Sequence, residues 1–242
     1  ALLGAMSWST VPSMPPEMML LPRAFPLNIY RFASWARSTI VPLLVILAQP
    51  PPYSGPIPCV DRFNSERPAQ STGRRSWQQT AFLILDALLK RTEGVLRRNP
   101  WRNRSLDRAC QWLLDHQEID GGWGGIQPAM VNSTLALATF DGQDEVVERG
   151  LAGMDGFGIE RDGILRLQAC VSPGWDTPWT MLALTEAGLP PDHAVLRTAA
   201  RWLVGQQSLR VSDWALAAPG VPPGGWPFEF ANAHYPDTDD TA

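Results

Sequence analysis

Lysine is almost missing from this 242-residue chain: Lys90 is the only one, and arginine supplies the rest of the 20 basic residues. Charge as a whole is scarce, at 18% against a usual ~25%. With 24 acidic residues the net charge is −4, which leaves no global basic footprint and makes nucleic acid a poor partner. Cysteine is scarce too. Cys59, Cys110 and Cys170 are odd in number and far apart, without paired-ligand spacing. Neither a zinc site nor a disulfide framework is expected, and reduced thiols fit a cytosolic face. Long apolar runs are lacking. The best, Thr39 to Ala48, contains Pro42 and runs into Pro50-Pro51-Pro52. It falls well short of the ~20 residues a spanning helix needs. No secretory signal is visible, but the chain opens on Ala1 rather than Met, so that absence carries no weight. Strand-like alternation is nearly absent, and an all-α chain with long loops is expected.

What the chain does hold is 11 Trp, 23 Pro and a hydrophobic fraction of 45%. The first 25 residues read as irregular or short helical pieces. Asn28 is placed to cap a helix running to about Ala48, bent at Pro42. Phe32 and Trp35, three apart, share one face of it. Core packing is the ordinary reason for such a pair. Gln49 to Arg75 reads as a linker. Trp77 to about Arg98 is a helix with the apolar stretches 81–85 and 87–89, followed by Lys90, Arg91, Arg97, Arg98, Arg102 and Arg104. Such a combination suits an interfacial membrane element, with apolar area in the acyl boundary and Arg at the headgroups. It equally suits an ordinary amphipathic helix with a solvated end. Ser105 is placed to cap the next helix, whose stripe is Leu106, Ala109, Cys110 and Leu113. Further helices are expected over Met130–Phe140, Glu145–Gly153, Pro178–Ala187 with Thr177 or Asp176 at the cap, and Asp192–Gln206.

Two stretches are self-similar. Trp112-Leu113, Gln117, Gly121 and Trp123 form one unit. Trp202-Leu203, Gln207 and Gly224-Gly225-Trp226 form another, with a longer loop. Helix–loop units repeated in this way argue for a repeated α-helical architecture.

The last residues carry the chemistry. Asp237, Asp239 and Asp240 crowd into four positions after Pro236, beside Trp226, Phe228, Phe230 and Tyr235. Carboxyls so close repel when ionised, so one tends to keep its proton. A protonated carboxyl walled by aromatic rings is a candidate strong acid. The competing readings are a solvated turn and a calcium loop, whose downstream Gly and Glu are not seen because the chain stops before they could appear.

Asp237-Thr-Asp-Asp-Thr-Ala242 resembles the D-x-D-D-T-A acid motif of the squalene–hopene cyclases, bacterial class II triterpene cyclases. Ser172-Pro-Gly-Trp-Asp-Thr177, Gly124-Gly-Ile-Gln-Pro128, Pro26-Leu-Asn-Ile-Tyr30 and Ser34-Trp-Ala-Arg37 match the family too, and the two repeated units resemble its QW repeats. The similarity runs along the whole chain but covers a middle portion of the family's length, so a fragment, inactive alone, is expected.

The resemblance implies an α/α toroid of the terpene-cyclase kind, represented in part. Residues 1–76 would belong to the helical and linker part of the connecting region, 77–104 to a membrane-contact helix, and 105–242 to barrel repeats ending in the acid motif. It implies conversion of squalene to hopene or hopanol, without metal or cofactor. Asp239 would donate the proton, with Asp237 and Asp240 tuning it. Trp175, Trp35, Phe228 and Tyr235 would stabilise cations. Ile126, Gln127 and Pro128 would shape the cavity, and Phe32 and Ile40 the channel entrance. His116, His193 and His234 are not expected to partner the acid. A monotopic enzyme on the cytoplasmic side of a bacterial inner membrane, homodimeric at full length, is implied. The alternatives are a class II diterpene-type cyclase, which shares D-x-D-D, and a non-catalytic helical binding module.

Overall fold

In the computed structural model, which describes residues 1–2, 7–52, 55, 76–97, 99–230, 236–237 and 241, helices dominate. In chain order they are α1 (Ser34–Ala48), α2 (Trp77–Leu96), α3 (Trp101–Asp115), α4 (Gln127–Leu137), α5 (Asp144–Asp155), α6 (Pro173–Glu186), α7 (Ala194–Gln206) and the short α8 (Trp214–Ala217). Two antiparallel ribbons accompany them: β1 (Gly158–Arg161) with β2 (Ile164–Leu167), and β3 (Trp226–Pro227) with β4 (Pro236–Asp237).

The core lies where α1, α3 and α4 meet. Val41, Leu44, Val45 and Ile46 of α1, Leu106, Ala109, Trp112 and Leu113 of α3, and Ala129, Met130, Ala136 and Leu137 of α4 are all buried. The α3 set follows the helical i, i+3, i+7 spacing. Burying each large apolar side chain stabilises the fold by about 1.5–3 kcal/mol. Helix α4 packs on α1 and α5, α3 on α1 and on the short turn Pro16–Leu20, and α6 on α7.

Several expected helix starts move. Asn28 does accept a bond from the backbone N–H of Tyr30 (3.0 Å), but it caps only the turn Ile29–Arg31. Phe32 and Ala33 are extended, and α1 begins at Ser34, then runs through Pro42. Ser105 lies inside α3, donating to the Trp101 carbonyl (2.8 Å), while Asn99 Oδ1 takes the N–H of Trp101 (3.0 Å) at the helix start. Helix α6 begins at Pro173 rather than Pro178, because proline in the first turn lacks only an N–H that the helix leaves unpaired. Helix α7 begins at Ala194 rather than Asp192, with His193 as its cap, accepting from the N–H of Val195. The β1–β2 hairpin was not expected. Its turn is Asp162-Gly163, with φ of 53° and 72°, the left-handed pair that Asp-Gly suits in a two-residue hairpin loop.

His116 ends α3 and ties it to the segment before α8. Its ring stacks on Trp112 at 3.9 Å, and its Nε2 lies 2.9 Å from Asp213 Oδ2. Burial pushes the Asp213 carboxyl up, but the hydrogen bond and charge of His116, with Arg37 and the Trp112 indole, outweigh it and hold the group below the ordinary 3.8. A depressed carboxylate contributes stability above its unfolded value and loses it as pH falls through the lower folded one. Asp213→Asn is therefore expected to cost about 1–2 kcal/mol at pH 6. The deficit should shrink on acidification below pH 3.8, as measured by urea unfolding followed through tryptophan fluorescence.

Candidate active site

The site is framed by the two repeated units, which close in the same way. In the first, the Trp123 indole donates to the Leu113 carbonyl (2.9 Å), Gln117 Nε2 to Gly121 O (3.1 Å) and Glu118 N to Gly122 O (2.9 Å). In the second, Trp226 donates to Leu203 O (2.6 Å), Gln207 Nε2 to Gly224 O (2.7 Å) and Ser208 N to Gly225 O (2.8 Å). Each Trp satisfies a carbonyl in the last turn of a helix, which the helix leaves unpaired, and each Gln ties the helix end to a carbonyl of the loop that follows. Gln117 also reaches Val146 O of α5 (2.9 Å), tying one helix pair to the next.

The segments that leave the two closures are stitched together through a third. Ile126 bridges Cys170, Gln127 N donates to Ala169 O (2.9 Å) and Val171 N to Gly125 O (2.9 Å). The chain then runs through Ser172 into α6, where Gly174 N donates to Phe228 O (3.1 Å). A methyl at Gly174 would lie 2.0 Å from the Pro227 carbonyl, so only glycine allows this approach. Strand β3 in turn pairs with β4, Trp226 against Asp237 and Pro227 against Pro236. The hydroxyl of Thr241 accepts from Trp226 N (3.0 Å), anchoring the far end of the acid motif.

This network brings Ile126, Gln127, Trp175, Phe228 and the backbone of Asp237 into one region. Phe228, Ile126 and Gln127 are half-buried. Pro128 is exposed in the first turn of α4. The Trp175 ring lies 6.3 Å from Trp179, tilted by 50°, on an exposed face of α6. Phe32 reaches the acid motif from another side. With Tyr30, Arg37, Trp214, Pro236 and Thr241 it lines a cavity of ≈ 960 Å³. Trp35 sits exposed on the first turn of α1, and Ile40 packs against the core. Asp239, Asp240 and Tyr235 lie outside the described residues.

One pair escaped sequence reasoning. Glu118 and Glu229 are buried, at 6% and 5% exposure, and pack where the first closure meets the bend after β3 that carries Phe228. Burial pushes both carboxyls up. The neighbouring Glu118 adds to the rise at Glu229, which reaches about 11. The available signal was the run Phe228-Glu229-Phe230, in which a lone carboxylate sits between two rings.

Paired helices closed by Gln and Trp, with Trp175, Phe228 and the strand of Asp237 joined through one backbone network, define an all-α repeat protein of the terpene-cyclase class, part of an α/α toroid. The chain belongs to the squalene–hopene cyclase family. The model of the family's N-terminal domain matches residues 1–163 and that of its C-terminal domain residues 171–242. The whole chain is 40% identical over 248 residues to a squalene–hopene cyclase of Alicyclobacillus acidocaldarius, covering 39% of that protein. It is 34% identical over 252 residues to a squalene–hopene cyclase of Bradyrhizobium diazoefficiens, covering 38% of it. A dammaradiene synthase of Dryopteris crassirhizoma is 36% identical over 251 residues, with 36% of it covered. The chain thus spans about two fifths of the length of these two squalene–hopene cyclases.

Proposed function

We propose that this chain supplies the acid motif and much of the aromatic wall of an enzyme that cyclises squalene to hopene, with hopanol formed where water captures the last cation. The reading rests on one observation: the backbone network that gathers Ile126-Gln127, Trp175, Phe228 and the strand of Asp237. An isolated alkene is a very weak base, so its protonation needs a strong acid held dry. Asp239 is the donor in this reading, with Asp237 and Asp240 sharing and stabilising the charge it leaves. The carbocations that follow need stabilisation without a nucleophile. The faces of Trp175, Trp35, Phe228 and Tyr235 supply it, each worth about 2 kcal/mol when desolvated. Phe32 and Ile40 line the entrance, and Ile126, Gln127 and Pro128 shape the cavity.

The substrate enters from a membrane surface in this reading, and α2 supports it. Ser76 and Gln79 cap each other's backbone N–H groups (3.2 and 3.0 Å) and fix the helix start. The face of α2 turned to the protein carries Asp86, Leu89 and Glu93, while Trp77, Phe82, Leu83, Ile84, Leu85 and Leu88 are exposed. Asp86 accepts from Ser13 N and pairs with Lys90 (2.8 Å). Glu93 pairs with the buried Arg102 (2.8 Å) and with Arg97 (3.3 Å). A helix in water turns its apolar side inward; this one turns it outward, as an interfacial element does. Among the described residues no helix is long and apolar enough to cross a membrane. In this reading the enzyme is monotopic, on the cytoplasmic face, and dimeric at full length.

Incubating squalene with the full-length protein and with this chain alone, and analysing the products by mass spectrometry, tests the reading. Hopene from the former and none from the latter is expected. Absence of any cyclised product from the full-length protein would overturn it.

A further inference from the structure

Glu118 and Glu229 play no part in the chemistry above, yet they are buried together. Glu118 Oε1 accepts the N–H of Gly124 (2.9 Å). Among the described residues its Oε2 has no hydrogen-bond donor, and neither has Glu229 Oε1. An oxygen of each, with one of Asp120, falls within 4.8 Å of the others. Glu229 also lies directly over the glycine turn. A methyl at Gly125, whose φ is 59°, would meet Glu229 Oε2 at 2.6 Å. The charged groups in reach are Asp120, on the same turn, and His116, at the end of α3.

Two ionised carboxylates removed from water and facing each other repel without compensation. A single shared proton removes the repulsion and gives the bare oxygens a partner. Glu118 is the acceptor, because the Gly124 N–H already favours its ionised form. Glu229 is left as the donor.

We propose that the protonated Glu229 carboxyl donates to Glu118, and that this bond is a clamp positioning Phe228 against the Gly124–Gln127 segment for cyclisation. The clamp joins the loop that runs from the first closure into Ile126-Gln127 to the bend that follows the second. Both segments carry residues of the proposed cavity, one of them next to Glu229 in sequence. Its role in turnover rests on the cyclase reading; its chemistry does not.

The test uses Glu229→Gln and Glu229→Leu in the full-length protein. Gln keeps a donor in the same shape, so product formation is expected to stay within about twofold of the unmodified enzyme, as for an isosteric replacement of a donor. Leu leaves Glu118 buried without its partner, and turnover is expected to fall about 10- to 100-fold, as misplaced active-site groups do. Infrared spectra at pH 8 should carry a carboxylic-acid C=O band that Glu229→Gln removes. The pH dependence has a definite sign. A carboxyl raised from 4.5 to about 11 favours folding below its unfolded value and loses that advantage as pH rises. An amide does not titrate, so the melting temperature of Glu229→Gln should gain on the unmodified protein between pH 5 and 9. EDTA or added Ca²⁺ should leave both unchanged.

A Glu229→Gln enzyme as impaired as Glu229→Leu, or a missing infrared band, would overturn the clamp. So would cation-dependent stability lost in Glu229→Gln, which would assign the three carboxylates to a metal. If Glu229→Leu fails to fold, the Gln variant and the spectra still decide. If the unmodified protein forms no hopene, the cyclase reading fails while the band and the pH effect stand or fall separately.

Discussion

Replacing Asp239 by Asn in the full-length protein is expected to lower cyclised product by at least about 10²–10⁴-fold, with the circular dichroism spectrum and melting temperature kept near those of the unmodified enzyme. An amide has the shape of the acid but is far too weak a donor for an alkene. Asp237 and Asp240, whose proposed part is to hold the charge that Asp239 leaves, are not expected to substitute for it as donors. Backbone geometry explains why such a change should leave the fold intact. The motif is anchored from outside the acid itself: Trp226 pairs with Asp237, and Thr241 takes the N–H of Trp226. Those contacts do not use the Asp239 side chain. A helical binding module without catalysis gives the opposite outcome, an Asn variant indistinguishable from the unmodified protein. A diterpene-type cyclase would lose activity too, but on a diphosphate substrate instead of squalene, so running both substrates separates the two enzymes.

Trp123→Ala is expected to be the most damaging change to the fold. The indole is fully buried, donates to the Leu113 carbonyl and has Gly150 of α5 pressed against its ring, where a methyl would come within 3.0 Å of Cζ3. Removing it opens a cavity and leaves a helix-end carbonyl without its donor. Truncations of this kind cost about 3–5 kcal/mol. For a domain of this size that lowers the melting temperature by roughly 6–20 °C. Trp226→Ala should cost less, because that ring is only half-buried although its bond to Leu203 is equivalent. Differential scanning calorimetry of the two variants side by side checks both the size and the order.

The contrast between these residues explains what could be read from the chain alone. The acid motif and the Gln and Trp of each closure are local signals: their chemistry sits in a few consecutive residues, and the α-helical architecture follows from their repetition. Helix starts were harder. Asn28 and Ser105 are good caps by type, but Asn28 caps an isolated turn and Ser105 bonds back to Trp101 from inside α3, because neighbouring residues took the helix end first. The hairpin at Asp162-Gly163 was hidden by the shortness of its strands. Glu118 lies in the loop of the first repeat and Glu229 just past the end of the second, and only folding reveals that they face each other. Helix α2 showed its apolar residues plainly, but not that they point away from the protein; that follows from Ser13 and Arg102, which bind its carboxylates from the other side.

The proton itself is the most direct thing to follow. Full-length protein equilibrated in D₂O and given unlabelled squalene should return hopene carrying a single deuterium on carbon, delivered by an aspartic acid that exchanges with solvent. Hopene without that label, or squalene recovered unchanged, would contradict a reaction begun by this carboxyl.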